Sequence, residues 1–202
     1  MIIPAILEKN KESLLKRINE VKDFSPVVHI DIMDKTLTKD NTLSISDIPL
    51  GLPVLIELHL MINTPSIYLN YMRKLSPYKI IVHSESDIFE KEVSILSNYF
   101  NVYGGVNIGS SLKDVISLKD VLSGILLMSV DMGASGESFN TKVFDKIKEA
   151  AVDFTNIELD GGISKDNISK CSILGVNDFA IHTALYSSQN IEKEYIELGD
   201  II

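Results

Sequence analysis

The sequence predicts a (β/α)8 barrel, and three observations lead there. Short β-branched runs alternate with amphipathic segments rich in Lys and Glu; the alternation yields eight strand-then-helix units; and these fit into 202 residues, the small end of the range for that architecture. Strand patterns fall at 2–7 (IIPAIL), 26–32 (PVVHIDI), 53–60 (PVLIELHL) and 78–84 (YKIIVHS). Four more follow at 101–107 (NVYGGVN), 124–130 (GILLMSV), 156–160 (NIELD) and 178–184 (DFAIHTA). The segments between them, such as KNKESLLKRINEVKDF and FNTKVFDKIKEAA, carry apolar residues at helical spacing. Thr64 before Pro65 and Ser164 before Lys165 read as N-caps. Only residues 35–52 lack a full helical pattern. A doubly wound open sheet is the competing solution for the same alternation. No repeat, low-complexity tract or linker divides the chain, so residues 1–202 read as a single barrel domain.

Composition narrows the function classes. Apolar residues make up 45% and charged residues 23%, and no apolar run approaches the roughly 18 residues that span a bilayer. Nineteen Lys and Arg against twenty-eight Asp and Glu give a net charge of -9, which argues against a nucleic-acid or anionic-membrane binder. The single Cys171 forms no internal disulfide, and no secretory signal opens the chain, so a cytoplasmic location is expected. An anionic substrate needs local neutralisation here, by backbone amides or a metal.

The chemistry-bearing residues gather at strand ends. All four histidines, His29, His59, His83 and His182, fall in the C-terminal part of a predicted strand, as do Asp31 and Asp160. In a parallel barrel those ends converge on one mouth. Period-two geometry puts His29, Asp31 and Met33 on one face of the second strand, with Val28, Ile30 and Ile32 toward the helices. His29, Asp31, His59 and Asp160 make a mixed N/O donor set suited to Zn, Mn or Fe(II). Taken singly, each also fits a hydrogen-bonded rim residue, and Asp160 before Gly161-Gly162 fits a turn former.

Spaced blocks in the same order resemble the ribulose-phosphate 3-epimerase family. "PAIL" is similar to P-S-I-L, "VVHIDIMD" to H-x-D-x-M-D-G, "ELHLMINTP" to H-L-M-x-x-x-P and "IIVHSES" to the H-x-E strand. "LLMSVDMGASGESF" is similar to M-x-V-x-P-G-F-G-G-Q-x-F, "ELDGGI" to V-D-G-G-I, and "IHTALY" stands at the Gly-Ser pair after strand eight. The resemblance implies a (β/α)8 TIM barrel of the ribulose-phosphate-binding type, a divalent ion on His29, Asp31, His59 and Asp160, and a homo-oligomer. It implies that Asp31 and Asp160 exchange protons at C3 of a ketose phosphate through a cis-enediolate, with D-ribulose 5-phosphate and D-xylulose 5-phosphate as the default pair. Met33, Met61 and Met128 match methionines that line the intermediate, where polarizable sulfur gives a dry, adaptable surface. The substrate's phosphate is expected among Gly133, Gly136, Gly161, Gly162, His182 and Thr183, through backbone N–H groups and small residues.

The departures lie at the substrate's ends. Ala5 stands where the family has a serine, Lys35 replaces the glycine after "MD", and His182-Thr183 replaces Gly-Ser. Lys35 and His182 read either as new ligand contacts or as drift, and Lys35 as a solvated lip residue. His83 is a further strand-end histidine near the site, and Glu85 and Glu137 read as rim residues without a step of their own. An allulose or other hexulose 6-phosphate 3-epimerase is the near alternative. A non-catalytic sugar-phosphate or metal-binding paralogue and a metal-assisted hydrolase are the rivals from other classes.

Overall fold

In the computed structural model, which describes residues 1–133 and 136–202, the strands close on themselves. They are β1 (Ile2–Ile6), β2 (Val27–Met33), β3 (Leu55–Met61), β4 (Lys79–His83), β5 (Val102–Val106), β6 (Gly124–Met128), β7 (Ile157–Asp160) and β8 (Asp178–Ile181). Each pairs in parallel with its successor, and β1 pairs with β8, Ile3 opposite Ala180. Closure decides between the two arrangements that the alternation permits: this is a (β/α)8 TIM barrel and not an open sheet.

The helices are α1 (Lys11–Val21), α2 (Leu69–Leu75), α3 (Phe89–Leu96), α4 (Lys113–Ile116), α5 (Val143–Ala150), α6 (Ile168–Ile173), α7 (Thr183–Tyr186) and α8 (Ile191–Gly199). Their apolar faces cover the outer side of the strands. Val28, Ile30, Leu58, Leu60, Ile80, Val82, Ile125, Leu127 and Leu159 pack there with Leu14, Ile18, Leu96, Ile147 and Leu198 in one buried cluster. Each such side chain stabilises the fold by about 1.5–3 kcal/mol. Between β2 and β3, where no full helix is expected, a single 3-10 turn at Ile45–Asp47 covers the barrel instead.

Three local expectations change. The eighth strand stops at Ile181, because Thr183 already opens α7, so His182 sits at that helix's N-cap position and not within a strand. Thr64 makes no capping hydrogen bond; Pro65 instead starts a 3-10 turn that runs into α2. The Ser164 hydroxyl accepts from Asp166 N at 3.3 Å in a turn, and α6 begins only at Ile168.

Candidate metal centre and active site

The inner face is polar on β2, β3 and β7, while Ile81 of β4 and Leu126 and Met128 of β6 form a separate apolar cluster. β2 and β3 pair Asp31 with His59 and His29 with Glu57, so two inward rows stand side by side. His29 Nε2 lies 3.0 Å from His59 Nδ1 and 3.3 Å from Asp31 Oδ1. His59 Nδ1 in turn lies 2.8 Å from Asp31 Oδ1 and 3.5 Å from Asp160 Oδ2. The ligand atoms of His29, Asp31, His59 and Asp160 all fall within 4.8 Å of one another. A tetrahedron with bonds of about 2.1 Å has edges of about 3.4 Å, so this donor set fits a divalent ion.

The outer nitrogens of the two imidazoles are tied down. His29 Nδ1 donates to Glu57 Oε1 at 2.6 Å and approaches Glu158 Oε1 at 3.2 Å. His59 Nε2 meets His83 Nε2 at 2.6 Å, and His83 Nδ1 meets Glu85 Oε2 at 2.8 Å. One proton sense satisfies the second chain: His59 Nε2–H donates to His83, whose Nδ1–H donates to the Glu85 carboxylate. With a cation bound, both rings would then turn a lone pair inward; without one, His29 Nε2 and His59 Nδ1 lie at 3.3 and 2.8 Å from Asp31 Oδ1. Backing ligand histidines by carboxylates in this way fixes tautomer and ring orientation.

Without an ion, the same crowding shows as displaced acidities. Burial alone would raise Asp31, but hydrogen bonds from His29 and His59 hold it well below the usual carboxylate range. Burial and the neighbouring Asp31 push Asp160 up to about 7. Burial opposes charge on His29, yet its bonds to Asp31, Glu158 and Glu57 raise it well above the ordinary imidazole range. Burial lowers His59 and His83.

A cavity opens directly above. Ala5, Asp31, Met61, Met128, Gly133, Gly136, Glu137, Asp160, Gly161, Gly162, His182 and Thr183 all line it. Met33 does not; it lines the neighbouring recess with Asp34 and Lys35. The centre of the "MGASG" loop, Ala134 and Ser135, lies outside the described residues. Gly161 and Gly162 are required as glycines: φ is +104° and +56°, and an added Cβ would stand 2.5 Å from Val130 and 2.6 Å from the Phe139 backbone nitrogen. The Ala5 and His182 departures are joined, since His182 Nδ1 donates to the Ala5 carbonyl at 2.9 Å.

The profile of the Ribulose-phosphate 3 epimerase family matches residues 1–186. The chain belongs to this family. A ribulose-phosphate 3-epimerase of Buchnera aphidicola subsp. Baizongia pistaciae is 27% identical, over 100% of this chain and 95% of that protein. The Bacillus subtilis ribulose-phosphate 3-epimerase is also 27% identical, over 98% and 97%. Among solved structures, 3-hexulose-6-phosphate synthase from Salmonella typhimurium superposes with a TM-score of 0.71 at 10% identity, covering 99% of this chain and 97% of that one, which bears on the fold alone. Membership makes the chain an epimerase, an isomerase built on a (β/α)8 barrel.

Within this epimerase, sequence reasoning missed Glu57, Lys79 and Glu158. All three are buried inside the barrel, and Lys79 Nζ lies 2.8 Å from Glu57 Oε2 and 2.5 Å from Glu158 Oε2. Strand parity could have found them: Glu57 shares its face with His59, Lys79 with His83, and Glu158 with Asp160. Glu85 is also more than a rim residue. Its Oε1 accepts from Asn107 N at 2.8 Å while Oε2 holds His83, so it ends the chain that starts at His59.

Proposed function

We propose that this epimerase inverts C3 of a ketose phosphate, with D-ribulose 5-phosphate and D-xylulose 5-phosphate as the default pair, and that Asp31 and Asp160 carry the protons. The observation behind this reading is the pair of carboxylates at one cavity, both sharing a possible cation site with His29 and His59. One carboxylate takes the C3 proton, and the electron pair moves into a cis-enediolate. The other carboxylate then delivers a proton to C3 from the opposite face; the reverse reaction exchanges their roles. A bound divalent ion, Zn, Mn or Fe(II), supplies Lewis-acid stabilisation of the negative charge on the substrate oxygens.

The chain's own residues do the rest. Met61 and Met128 give the cavity an apolar, adaptable wall that excludes water from the planar intermediate. Gly133, Gly136, Gly161, Gly162 and Thr183 offer close backbone approach to the phosphate, while His182, held through Nδ1, has no hydrogen-bond partner at Nε2 among the described residues. The changed side chain at that end alters the chain-length preference and so keeps a second reading, a hexulose 6-phosphate with the same chemistry. We further read the chain as a homo-oligomer of the cytoplasm, consistent with its family and with Cys171, a buried free thiol. Among the described residues, no helix is long and apolar enough to cross a membrane.

The test incubates metal-loaded protein with pentulose and hexulose 5- and 6-phosphates in D2O and follows deuterium at C3 by NMR. Exchange with net inversion of one substrate supports the reading and names the substrate. Absence of exchange with every member of the panel, in protein shown to hold metal, sinks it in favour of a non-catalytic paralogue.

A further inference from the structure

Below the candidate metal centre, the barrel holds a closed ring of four side chains. Glu57 and Glu158 each turn Oε1 toward His29 Nδ1, at 2.6 and 3.2 Å, and Oε2 toward Lys79 Nζ, at 2.8 and 2.5 Å. The Lys79–Glu57 contact is an ion pair without hydrogen-bond alignment, whereas Lys79 donates a hydrogen bond to Glu158. Behind Lys79, Asp178 Oδ2 stands at 3.7 Å and the Tyr103 ring at 4.5 Å from the ammonium. The Lys79 side chain is 2% exposed, and both glutamates are 0% exposed.

Stability does not account for this arrangement. Barrel interiors are usually filled by layers of branched apolar side chains, and replacing a buried ion cluster by apolar groups of similar volume often leaves a fold as stable or more so. What the ring does achieve is orientation. Two carboxylates of like charge would separate if nothing lay between their far oxygens, and Lys79 holds them parallel with their near oxygens converging on one imidazole nitrogen.

We propose that Lys79 is a positioning residue of the metal centre: by clamping Glu57 and Glu158 it fixes the His29 ring with Nδ1–H downward and the Nε2 lone pair toward the ion. This rests on the reading that His29, Asp31, His59 and Asp160 hold a divalent cation. Lys79 touches neither the ion nor the substrate. Its action passes through two carboxylates and one ring.

Orientation and charge predict opposite results for Lys79→Met. The substitution leaves the interior one unit more negative, which by charge alone tightens cation binding. Loss of orientation weakens it, by about 10–100-fold as for other groups that support a ligand from behind. Zn(II) dissociation constants measured by chelator competition on protein shown folded by circular dichroism decide between them. The visible spectrum of the Co(II)-loaded protein reports the ligand geometry directly. We expect weaker Zn(II) binding and an altered Co(II) spectrum; unchanged or tighter binding with an unchanged spectrum overturns the proposal. Lys79→Met/Glu158→Gln returns these side chains to their original net charge, and carries the test where the single variant does not fold. Zn(II) binding in it is expected to remain at least about tenfold weak, and recovery of wild-type affinity assigns Lys79 a charge role only. A wild-type chain that binds neither metal removes the cation site itself, an outcome distinct from equal binding by wild type and variant.

Discussion

The two faces of the same eight strands obey opposite rules. Outward, Ile30, Leu58, Val82, Leu127 and Leu159 meet the helices in one apolar cluster. Inward, between those positions, stand His29, Asp31, Glu57, His59, Lys79, His83 and Glu158, all buried. Burial is equally deep on both sides, so burial alone does not separate framework from chemistry. The difference is in what satisfies each side chain. The outer face needs only neighbours of matching volume, while each of these inner polar groups depends on the orientation of the next one. Changes outside should therefore cost stability, and changes inside should cost activity.

Asp160→Asn pushes that contrast furthest. We expect kcat to fall at least about a hundredfold, the low end for loss of an acid/base group. Stability should move the other way. Burial and Asp31 raise the Asp160 carboxyl from 3.8 to about 7, so the unfolded chain loses this proton before the folded one does. The resulting penalty on the metal-free fold sets in above pH 3.8 and is complete above about 7. Asparagine does not titrate, so thermal melts of metal-free protein at neutral pH should show the variant more stable than the wild type. Retained turnover would remove Asp160 from the proton-transfer pair.

The outer face supplies the converse. Leu127→Ala deletes a fully buried side chain of β6 and should cost about 2–5 kcal/mol in urea unfolding, with kcat of the folded fraction unchanged. A comparable loss of kcat would show that the wall and the site are mechanically coupled. Glu85→Gln tests an inner residue near the rim. Although burial opposes it, the His83 contact holds the Glu85 carboxyl at about 2, below its ordinary 4.5. The sign is that of a depressed acid: its stabilisation is present above pH 4.5 and is lost as pH falls through about 2. The wild type should therefore exceed Glu85→Gln by about 1.5–3 kcal/mol near neutral pH, the scale of a hydrogen bond to a charged group, and the two melting curves should converge toward pH 2. A gap that persists in acid would assign the effect to packing.

The same division explains how much could be read in advance. Alternation of β-branched runs with helical spacing is written along the chain, so the barrel and its outer core follow from local pattern. Strand parity placed His29 and Asp31 on one face of the second strand, position at a strand end gathered His59, and the end of the seventh strand before Gly161-Gly162 located Asp160. Strand parity turns Lys79 and the two glutamates inward, but their joint meaning is not local. A lysine at a strand start reads as a solvated end, and only barrel closure brings β3, β4 and β7 around the one imidazole of β2. His182 was misplaced for a related reason: β-branched Thr183 extends a strand pattern, but once Ile181 has paired with Pro4 the chain turns into α7.

The smallest expected effect lies at Lys35, where this chain leaves its family just after β2. Lys35 is exposed and sits in the recess beside β2, outside the cavity above Asp31 and Asp160. Its φ is +70°, a left-handed conformation that costs a residue with a Cβ roughly 1–2 kcal/mol. The turn imposes it: Asp34 Oδ1 accepts from Thr36 N at 2.9 Å and from the Thr36 hydroxyl, which itself accepts from Asn63 N at 2.8 Å. Glycine relieves the strain but loses more freedom on folding, worth about 0.5–1 kcal/mol. Lys35→Gly should therefore gain about 0.5–1 kcal/mol in urea unfolding, with kcat/KM unchanged. A tenfold loss of kcat/KM would instead mean that the Lys35 ammonium reaches the substrate, and that the altered lip contributes to selectivity as well as to the turn.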